Sequence, residues 1–209
     1  FVIWLWRKLA YWWSGPADPA QHAARVTRVA AAVRAHRSSC GRDFGVIGFQ
    51  TATMAKKAST VVKMRTDRSV FDSHSVRNSD KRAAKQVHLS DLRAILNLEV
   101  TVGSGSGGRG GNSCTVVHVE PGVTVGEVTD FLLARGMQLE CCLEMEDATL
   151  GGLAMAQGMT THSHVCGLLS ETVVEYEIVT GNGDVLIVTP DNDHADLFRA
   201  LPLSHGTLG

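Results

Sequence analysis

The stretch from Asp147 to Gly167, DATLGGLAMAQGMTTHSHVCG, combines residue types that bind a ligand through the main chain. Two adjacent glycines open a short run of small residues, and a further glycine, Gly158, is followed by Thr and Ser. Glycines let a flat or phosphorylated ligand approach the backbone because no Cβ intervenes. Since the stretch has no Lys or Arg, amide N–H groups and hydroxyls would have to donate the hydrogen bonds. The alternative is a tightly packed helix–strand crossing in the core.

Other patterns point less clearly to chemistry. Gly103–Gly108 satisfies G-x-G-x-x-G, but a strand rather than a helix is predicted after it, so the helix N–H groups that hold a pyrophosphate are missing. His162, His164 and Cys166 resemble metal ligands, but no distant ligand pair accompanies them, and we expect hydrogen-bonding loop residues and no metal. The chain also lacks a G-x-S-x-G elbow, so no serine triad is predicted.

The elements on the N-terminal side of this stretch are well marked. The segment from 116 to 120 has the β-branched content of a strand, and Pro121-Gly122 turns the chain. Thr124 and Glu127 then form a T-x-x-E capping box, which predicts a helix that ends at Gly136. Further upstream, Val87 to Glu99 predicts two short apolar runs around a turn at Ser90 and Asp91.

The elements on its C-terminal side are also predicted. Residues 173–179 alternate apolar and acidic side chains, which is typical of a half-exposed strand. The GNGD sequence from Gly181 turns the chain into an apolar run from Val185 to Val188, giving a hairpin. A short helix from Asp191 to Leu201 follows, with Asp191 or Asp193 as its N-cap. This alternation of strands and short helices predicts an α+β fold.

Residues 18–37 predict a basic amphipathic helix. Val26, Val29, Ala30 and Val33 recur at helical spacing, and arginines flank them. We expect a solvated linker helix rather than a nucleic-acid arm, because few aromatic residues accompany the arginines and no base-reading motif is present.

The composition of the 209-residue chain suits one globular domain with a basic extension: 44% of the residues are apolar and 20% are charged. Its net charge of −1 conceals a basic first half, with 17 Lys and Arg against 7 Asp and Glu in residues 1–100. No run of 18 apolar residues occurs, but the chain begins FVIWLWRK and continues with Tyr11, Trp12 and Trp13. Aromatic residues beside Lys and Arg are typical of a bilayer interface, so we expect the cytoplasmic end of an incomplete membrane anchor, with a packed amphipathic helix as the alternative.

The five cysteines indicate a reducing compartment. Their number is odd, no two of them form a C-x-x-C pair, and their spacing matches neither a disulfide framework nor a zinc site. They are Cys40, Cys114, Cys141, Cys142 and Cys166.

The stretch at Thr149 resembles the second flavin loop of the vanillyl-alcohol-oxidase-type, or PCMH-type, FAD domain, and more narrowly that of the Δ24-sterol reductases (24-dehydrocholesterol reductase, Diminuto). That family has T-[VL]-G-G, five residues, Gly, a Ser/Thr-rich turn and S-H-x-x-G. Here the pattern stands as Thr149-Leu-Gly-Gly, Gly158, Thr160-Thr161, Ser163-His164 and Gly167. Resembling segments at Val87–Glu99, Val117–Thr124 and Ser204–Gly209 extend the likeness over residues 87–209.

This resemblance implies a truncated PCMH-type FAD-binding domain of two small α/β subdomains over residues 41–209, preceded by a membrane-proximal basic helical segment over residues 1–40. It implies noncovalently bound FAD, NADPH as electron donor, and reduction of the Δ24 double bond of a sterol by an endoplasmic reticulum protein whose catalytic domain faces the cytosol. The implied flavin-binding residues are Thr149, Leu150, Gly151, Gly152, Leu153, Ala154, Met155, Ala156, Gln157, Gly158, Met159, Thr160 and Thr161. The motifs identify no catalytic acid.

The sequence departs from the family at several places. The first pyrophosphate loop of the family corresponds to residues 48–53, where only Gly48 remains, so no FAD contact is carried over there. Segments 69–85 and 103–113 resemble insertions, and the family's substrate-binding cap domain would follow Gly209. Two alternatives therefore stay open: another FAD-linked oxidase or dehydrogenase acting on a hydroxy acid or an alkyl-glycerol phosphate, or a membrane-tethered interaction module without flavin.

Overall fold

The computed structural model describes residues 17–40, 62–65, 85–101, 114–204, 206 and 208. The helices, after a short 3₁₀ turn at Pro19–Gln21, are α1 (His22–Cys40), α2 (Val125–Leu133), α3 (Leu150–Met155), α4 (Ser163–Cys166) and α5 (Ala195–Ala200). The strands are β1 (Val62–Arg65), β2 (Lys85–His88), β3 (Ile95–Thr101), β4 (Cys114–Val119), β5 (Tyr176–Val179) and β6 (Val185–Val188). Within these ranges, no helix combines the length and apolar character needed to cross a bilayer.

The strands form three two-stranded sheets. β1 and β2 pair in parallel, whereas β3–β4 and β5–β6 are antiparallel. The β5–β6 hairpin confirms the prediction for residues 173–188, although its first strand begins at Tyr176 rather than Val173. Tyr176 and Ile178 point into the core and Glu177 points outward, as the alternating pattern requires.

Helix α2 confirms the most clearly marked local prediction. The Thr124 hydroxyl accepts a hydrogen bond from the Glu127 amide, and the Glu127 carboxylate accepts one from the Thr124 amide at 2.8 Å. This reciprocal capping box satisfies two N–H groups that the helix itself leaves unpaired. Gly136 follows the helix with φ of +68°, a conformation that glycine adopts without strain.

Helix α1 forms where it was predicted, but it is packed against the domain rather than solvated. Val26 and Val29 are buried against Val87, Leu89 and Leu92. The prediction of a solvated linker was wrong because the apolar stripe of this helix meets a complementary apolar surface around β2. The predicted boundary between residues 40 and 41 borders residues outside the described ranges and stays a prediction.

A buried ion pair reinforces the docking of α1. Arg25 donates through Nη2 and Nε to Glu120 Oε1 at 2.6 and 2.9 Å, and the Glu120 side chain is fully buried. The second oxygen of Glu120 accepts a hydrogen bond from the Ala94 amide at 2.7 Å. His22 lies between two carboxylates, with Nδ1 at 2.8 Å from Glu120 and Nε2 at 2.6 Å from Glu177. The first turn of α1 is thereby tied to the end of β4 and to β5.

Two apolar clusters fill the rest of the domain, and α3 links them. The first gathers α2 and the loops around it and consists of Val123, Val125, Val128, Leu132, Cys141, Leu143, Leu150 and Leu169. The second lies under the β5–β6 hairpin and consists of Ala154, Tyr176, Ile178, Val188 and Leu201. Because Leu150 belongs to the first cluster and Ala154 to the second, α3 has a fixed place on the domain.

One local prediction near the C-terminal end was wrong. Helix α5 begins after His194 rather than after Asp191 or Asp193. Asn192 explains the difference: its side-chain oxygen accepts hydrogen bonds from the amides of Thr189 and His194, which forms an Asn-centred turn before the helix begins.

Candidate functional site

The segment from Thr149 to Thr161, the implied flavin-binding segment, consists of α3 and the loop that follows it. Helix α3 rests on the domain through Leu150 and Ala154, which are buried, and turns Gly152 toward solvent. In the loop, Met159 is 77% exposed and Thr161 is exposed as well. The segment therefore presents an uncharged surface to solvent, as its composition predicted.

The beginning of this segment is held by main-chain hydrogen bonds. Thr149 forms an antiparallel bridge with Thr124. The Leu150 amide donates to the Val123 carbonyl at 2.8 Å, and the Gly151 amide donates to the Pro121 carbonyl at 3.1 Å. The loop that opens α2 thus positions the first turn of α3, so the capping box at Thr124 and the flavin-binding segment are parts of one local structure.

Two glycines of the segment are required by packing. A Cβ on Gly151 would lie 2.5 Å from Pro121 Cβ, and a Cβ on Gly158 would lie 2.8 Å from Leu169 Cβ. Gly158 also has φ of +63°, which side chains other than glycine rarely adopt. For these two positions, the close-packing interpretation explains the residue type without a ligand.

Gly152 is different, because its missing side chain leaves open surface. It is exposed, and a Cβ there would meet only the movable side chain of Thr149, with Oγ1 at 2.9 Å. A planar cofactor can approach a helical backbone closely where no side chain covers it. Gly152 therefore fits the role that was predicted for it in flavin binding.

Two of the hydroxyls that were predicted to contact a ligand, those of Thr160 and Thr161, are hydrogen-bonded to Glu144. Thr160 Oγ1 and Thr161 Oγ1 donate to Glu144 Oε1 at 3.0 and 2.7 Å, and the Thr161 amide donates to the same oxygen at 3.2 Å. These hydrogen bonds hold the pKa of the Glu144 carboxyl down at about 2. Sequence reasoning missed Glu144, because it precedes the two threonines by 16 and 17 residues and no local spacing connects them.

The remaining predicted hydroxyls have structural partners or positions. Ser163 Oγ accepts a hydrogen bond from the Thr160 amide at 2.9 Å, which shapes the turn before α4. Thr149 occupies the N-cap position of α3 but makes no side-chain hydrogen bond to the helix. Unlike the hydroxyls of Thr160 and Thr161, the Thr149 hydroxyl could therefore hydrogen-bond to a ligand at the start of α3, next to Gly152.

The histidine and cysteine cluster at α4 stabilises a turn. His164 Nδ1 lies 3.1 Å from the Thr161 carbonyl oxygen, and Cys166 Sγ lies 3.3 Å from the His162 carbonyl oxygen. Among the residues that the structure describes, no group of three or more His, Cys, Asp or Glu side chains could hold a metal ion.

A buried hydroxyl lies beneath the segment. Tyr176 belongs to the same apolar cluster as Ala154 of α3, and its hydroxyl has no hydrogen-bond partner in the described part of the chain. Burial raises the pKa of Tyr176 to about 12, because the phenolate form would be desolvated. Buried hydroxyls are normally paired, so Tyr176 is an exception among the described residues.

Two cavities lie elsewhere on the domain. A polar cleft of about 450 Å³ opens between the start of α1 and the turn after β2, bordered by Asp18, Arg25 and Arg93. A more apolar one of about 390 Å³ lies between the β3–β4 sheet and the end of α2, bordered by Leu98, Val117 and Met137. Residues 149–161 line neither of these two cavities.

Residues 48–53, which correspond to the family's first pyrophosphate loop, and the predicted insertions 69–85 and 103–113 lie outside the described residues, except for Lys85, which begins β2. The aromatic run at the start of the chain also lies outside them.

Comparisons with known proteins agree with the architecture. Residues 87–189 match the family model of an FAD binding domain. The Δ24-sterol reductase of Pisum sativum is 34% identical over 146 residues, which cover 69% of this chain and 24% of that protein. The human Δ24-sterol reductase is 43% identical over 94 residues, which cover 45% of this chain and 18% of that protein.

A solved structure shows the same fold. A chitooligosaccharide oxidase superposes with a TM-score of 0.52 at 17% identity, over 83% of this chain and 29% of that protein. This chain spans about a quarter of the length of the Pisum sativum sterol reductase. These likenesses confirm the predicted α+β, PCMH-type FAD-binding fold.

Proposed function

We propose that this chain, which belongs to the FAD-dependent oxidoreductase family of the Δ24-sterol reductases, is part of an enzyme that reduces the Δ24 double bond of a sterol with NADPH. The identity of 34% and 43% to two sterol reductases is the observation that carries this proposal. The match to an FAD binding domain over residues 87–189 supports it, because that range contains the whole flavin-binding segment.

The chain's own residues have definite tasks in this proposal. Bound FAD supplies hydride transfer between NADPH and the alkene. Gly152 gives the cofactor access to bare main chain, and Thr149 offers a hydroxyl beside it. Glu144 holds the Thr160–Thr161 turn in place, and Leu150 and Ala154 fix α3 against the two apolar clusters. The domain thus binds and orients the cofactor.

A location at the endoplasmic reticulum membrane, with the FAD domain in the cytosol, belongs to the same proposal. The basic first half of the chain and the aromatic run before residue 14 support it, because such residues are typical of the cytosolic side of an anchor. The sterol substrate and the membrane are the proposed partners, and no nucleic acid is among them.

The experiment uses the full gene product that contains this chain. After purification it is incubated with excess FAD and passed through a desalting column, and the retained flavin is read from its visible absorbance. It is then incubated with NADPH and a Δ24 sterol such as desmosterol, and the sterol is analysed by mass spectrometry. We expect retained flavin and a sterol heavier by two hydrogens.

Other outcomes separate the alternatives. Retained flavin with unchanged sterol, together with oxidation of a hydroxy acid or an alkyl-glycerol phosphate, would favour a different FAD-linked enzyme. A protein that remains folded but retains no flavin would overturn the enzyme proposal in favour of an interaction module.

A further inference from the structure

Two thiols from separate parts of the chain meet beside the end of the flavin-binding segment. Cys141 lies in the loop between α2 and α3, and Cys166 is the last residue of α4. Both sulfurs approach the same carbonyl oxygen, that of Gly167, each at 3.6 Å. A single backbone oxygen thus brings together two cysteines that are 25 positions apart in the sequence.

The two thiols differ in their access to solvent. Cys141 is fully buried within the first apolar cluster, whereas Cys166 is half-buried at the edge of that cluster. Burial and the neighbouring Cys166 raise the pKa of the Cys141 thiol to about 11. At neutral pH Cys141 is therefore overwhelmingly protonated and a weak nucleophile, and an external reagent reaches Cys166 first.

We propose that Cys141 and Cys166 are a redox modification site, which forms a reversible intrachain disulfide by exchange with a low-molecular-weight disulfide such as glutathione disulfide. In the first step the Cys166 thiolate attacks glutathione disulfide, which forms a mixed disulfide and releases one glutathione thiolate. In the second step the Cys141 thiolate attacks the Cys166 sulfur, which forms the intrachain bond and releases a second glutathione. Two protein thiols are oxidised while one glutathione disulfide is reduced to two glutathione thiols.

The bond would join segments that are already linked by Glu144. The loop that contains Cys141 also contains Glu144, whose carboxylate holds the turn at Thr160 and Thr161. A disulfide from Cys141 to the end of α4 would add a covalent bond to this hydrogen-bonded link. The proposal depends only on the positions of the thiols, so it stands or falls independently of the sterol reaction.

Cys142 provides a matched control. It is exposed and adjacent to Cys141, but its sulfur lies 3.7 Å from the Thr129 hydroxyl on α2. In sequence it is one position nearer to Cys166 than Cys141 is, but its side chain has a different partner. If thiol reactivity followed exposure alone, Cys142 would be the one to react.

The experiment compares the wild-type protein with Cys141→Ser, Cys166→Ser and Cys142→Ser, each first reduced and freed of reductant. Each is incubated at pH 8 with glutathione disulfide, its free thiols are alkylated, and its peptides are mapped by mass spectrometry without reduction. We expect a Cys141–Cys166 linked peptide in the wild type and in Cys142→Ser, and its disappearance after dithiothreitol. Cys141→Ser should instead accumulate a glutathione adduct on Cys166.

Two results would overturn the proposal: stable glutathione adducts on Cys166 of the wild type without the linked peptide, or a linkage that includes Cys142. A fold check by circular dichroism accompanies Cys141→Ser, because its thiol is buried. The wild type and Cys142→Ser decide the question even if that variant unfolds. As a second readout, the Tm of the oxidised wild type should exceed that of the reduced protein, and Cys166→Ser should show no such difference.

Discussion

The Thr161 hydroxyl lies 2.7 Å from Glu144 Oε1, and this contact connects the flavin-binding segment to the loop that follows α2. One carboxylate oxygen here accepts three hydrogen bonds from two consecutive threonines. The turn is therefore held mainly by this side chain from outside the segment, and Ser163 Oγ accepts one further hydrogen bond from the Thr160 amide. Its predicted role in flavin binding then depends on a residue that is not part of the motif.

Replacing Glu144 with Gln should loosen this turn in a way that depends on pH. The carboxyl has a pKa of about 2 in the folded protein, against 4.5 as the ordinary value. Its stabilising contribution is therefore fully present above about pH 4.5 and is lost as the pH falls toward 2. We expect urea unfolding to show the wild type more stable than Glu144→Gln at pH 7, with a gap that narrows below pH 4.5. Glu146→Gln, exposed in the same loop, is the control and should leave the midpoint unchanged.

Gly152→Val tests whether the exposed face of α3 contacts the flavin. An added Cβ meets only Thr149 Oγ1, which can rotate away, so the fold should be retained with a Tm within a few degrees of the wild type. Because the valine occupies the space above the bare backbone, retained flavin absorbance should fall at least ~10-fold, which corresponds to about 1.4 kcal/mol of binding free energy.

The matched control for Gly152→Val is Gly181→Val, which adds the same side chain at an exposed turn where a Cβ has nothing within 4 Å. Flavin retention in Gly181→Val should equal that of the wild type. Equal retention in both variants would show that the cofactor lies elsewhere.

Arg25→Met should be one of the most destabilising substitutions in α1. It leaves the fully buried Glu120 carboxylate without its guanidinium partner, and breaking such a buried pair costs about 3–5 kcal/mol. Arg28→Met removes the ion pair with Asp91, in which both side chains are nearly half exposed, and should cost less than about 1 kcal/mol. Chemical denaturation of both variants measures this difference. Similar losses in the two would mean that Arg25 contributes through packing alone.

His22 should make the docking of α1 sensitive to pH. Burial alone would lower the pKa of His22, but hydrogen bonds to Glu120 and Glu177 outweigh it and leave the pKa above 6.5. A neutral imidazole has one N–H and cannot donate to both carboxylates, so the geometry requires the protonated ring. The stabilising contribution is therefore full below about pH 6.5 and is lost as the pH rises through the higher folded-state pKa.

The measurement for His22 is the unfolding free energy of the wild type and His22→Gln between pH 5.5 and pH 9. The wild type should have its largest advantage at the acidic end. His118→Gln serves as the control, because His118 lies 3.7 Å from Glu99 in an exposed pair and should contribute little. An advantage for the wild type that does not change with pH would contradict the bridging role of His22.

Local patterns in the sequence predicted much of the fold. The capping box of α2, the β5–β6 hairpin and the helical spacing of the valines in α1 each depend on residues within a few positions of one another, and the structure confirms them. Periodicity cannot identify partners that are far apart, however. Arg25 and Glu120 are 95 positions apart, and no local pattern connects them.

The candidate site was predictable to a similar extent. The small-residue helix and the uncharged surface of the flavin-binding segment followed from residue types. The reasons for the individual glycines did not, because the contacts of Gly151 with Pro121 and of Gly158 with Leu169 depend on how loops fold back. Glu144 carried no sequence signal, since a lone acidic residue in a loop is usually solvated.

The docking of α1 also restricts how the domain can move. If α1 were loosely attached, the helix and the rest of the domain would rotate independently of each other. Here the hydrogen bonds of His22 and Arg25 to Glu120 fix the first turn of α1 to the domain, and apolar packing continues along the helix. The domain and α1 therefore move as one unit, and the orientation of α1 sets the direction in which Gly152 faces.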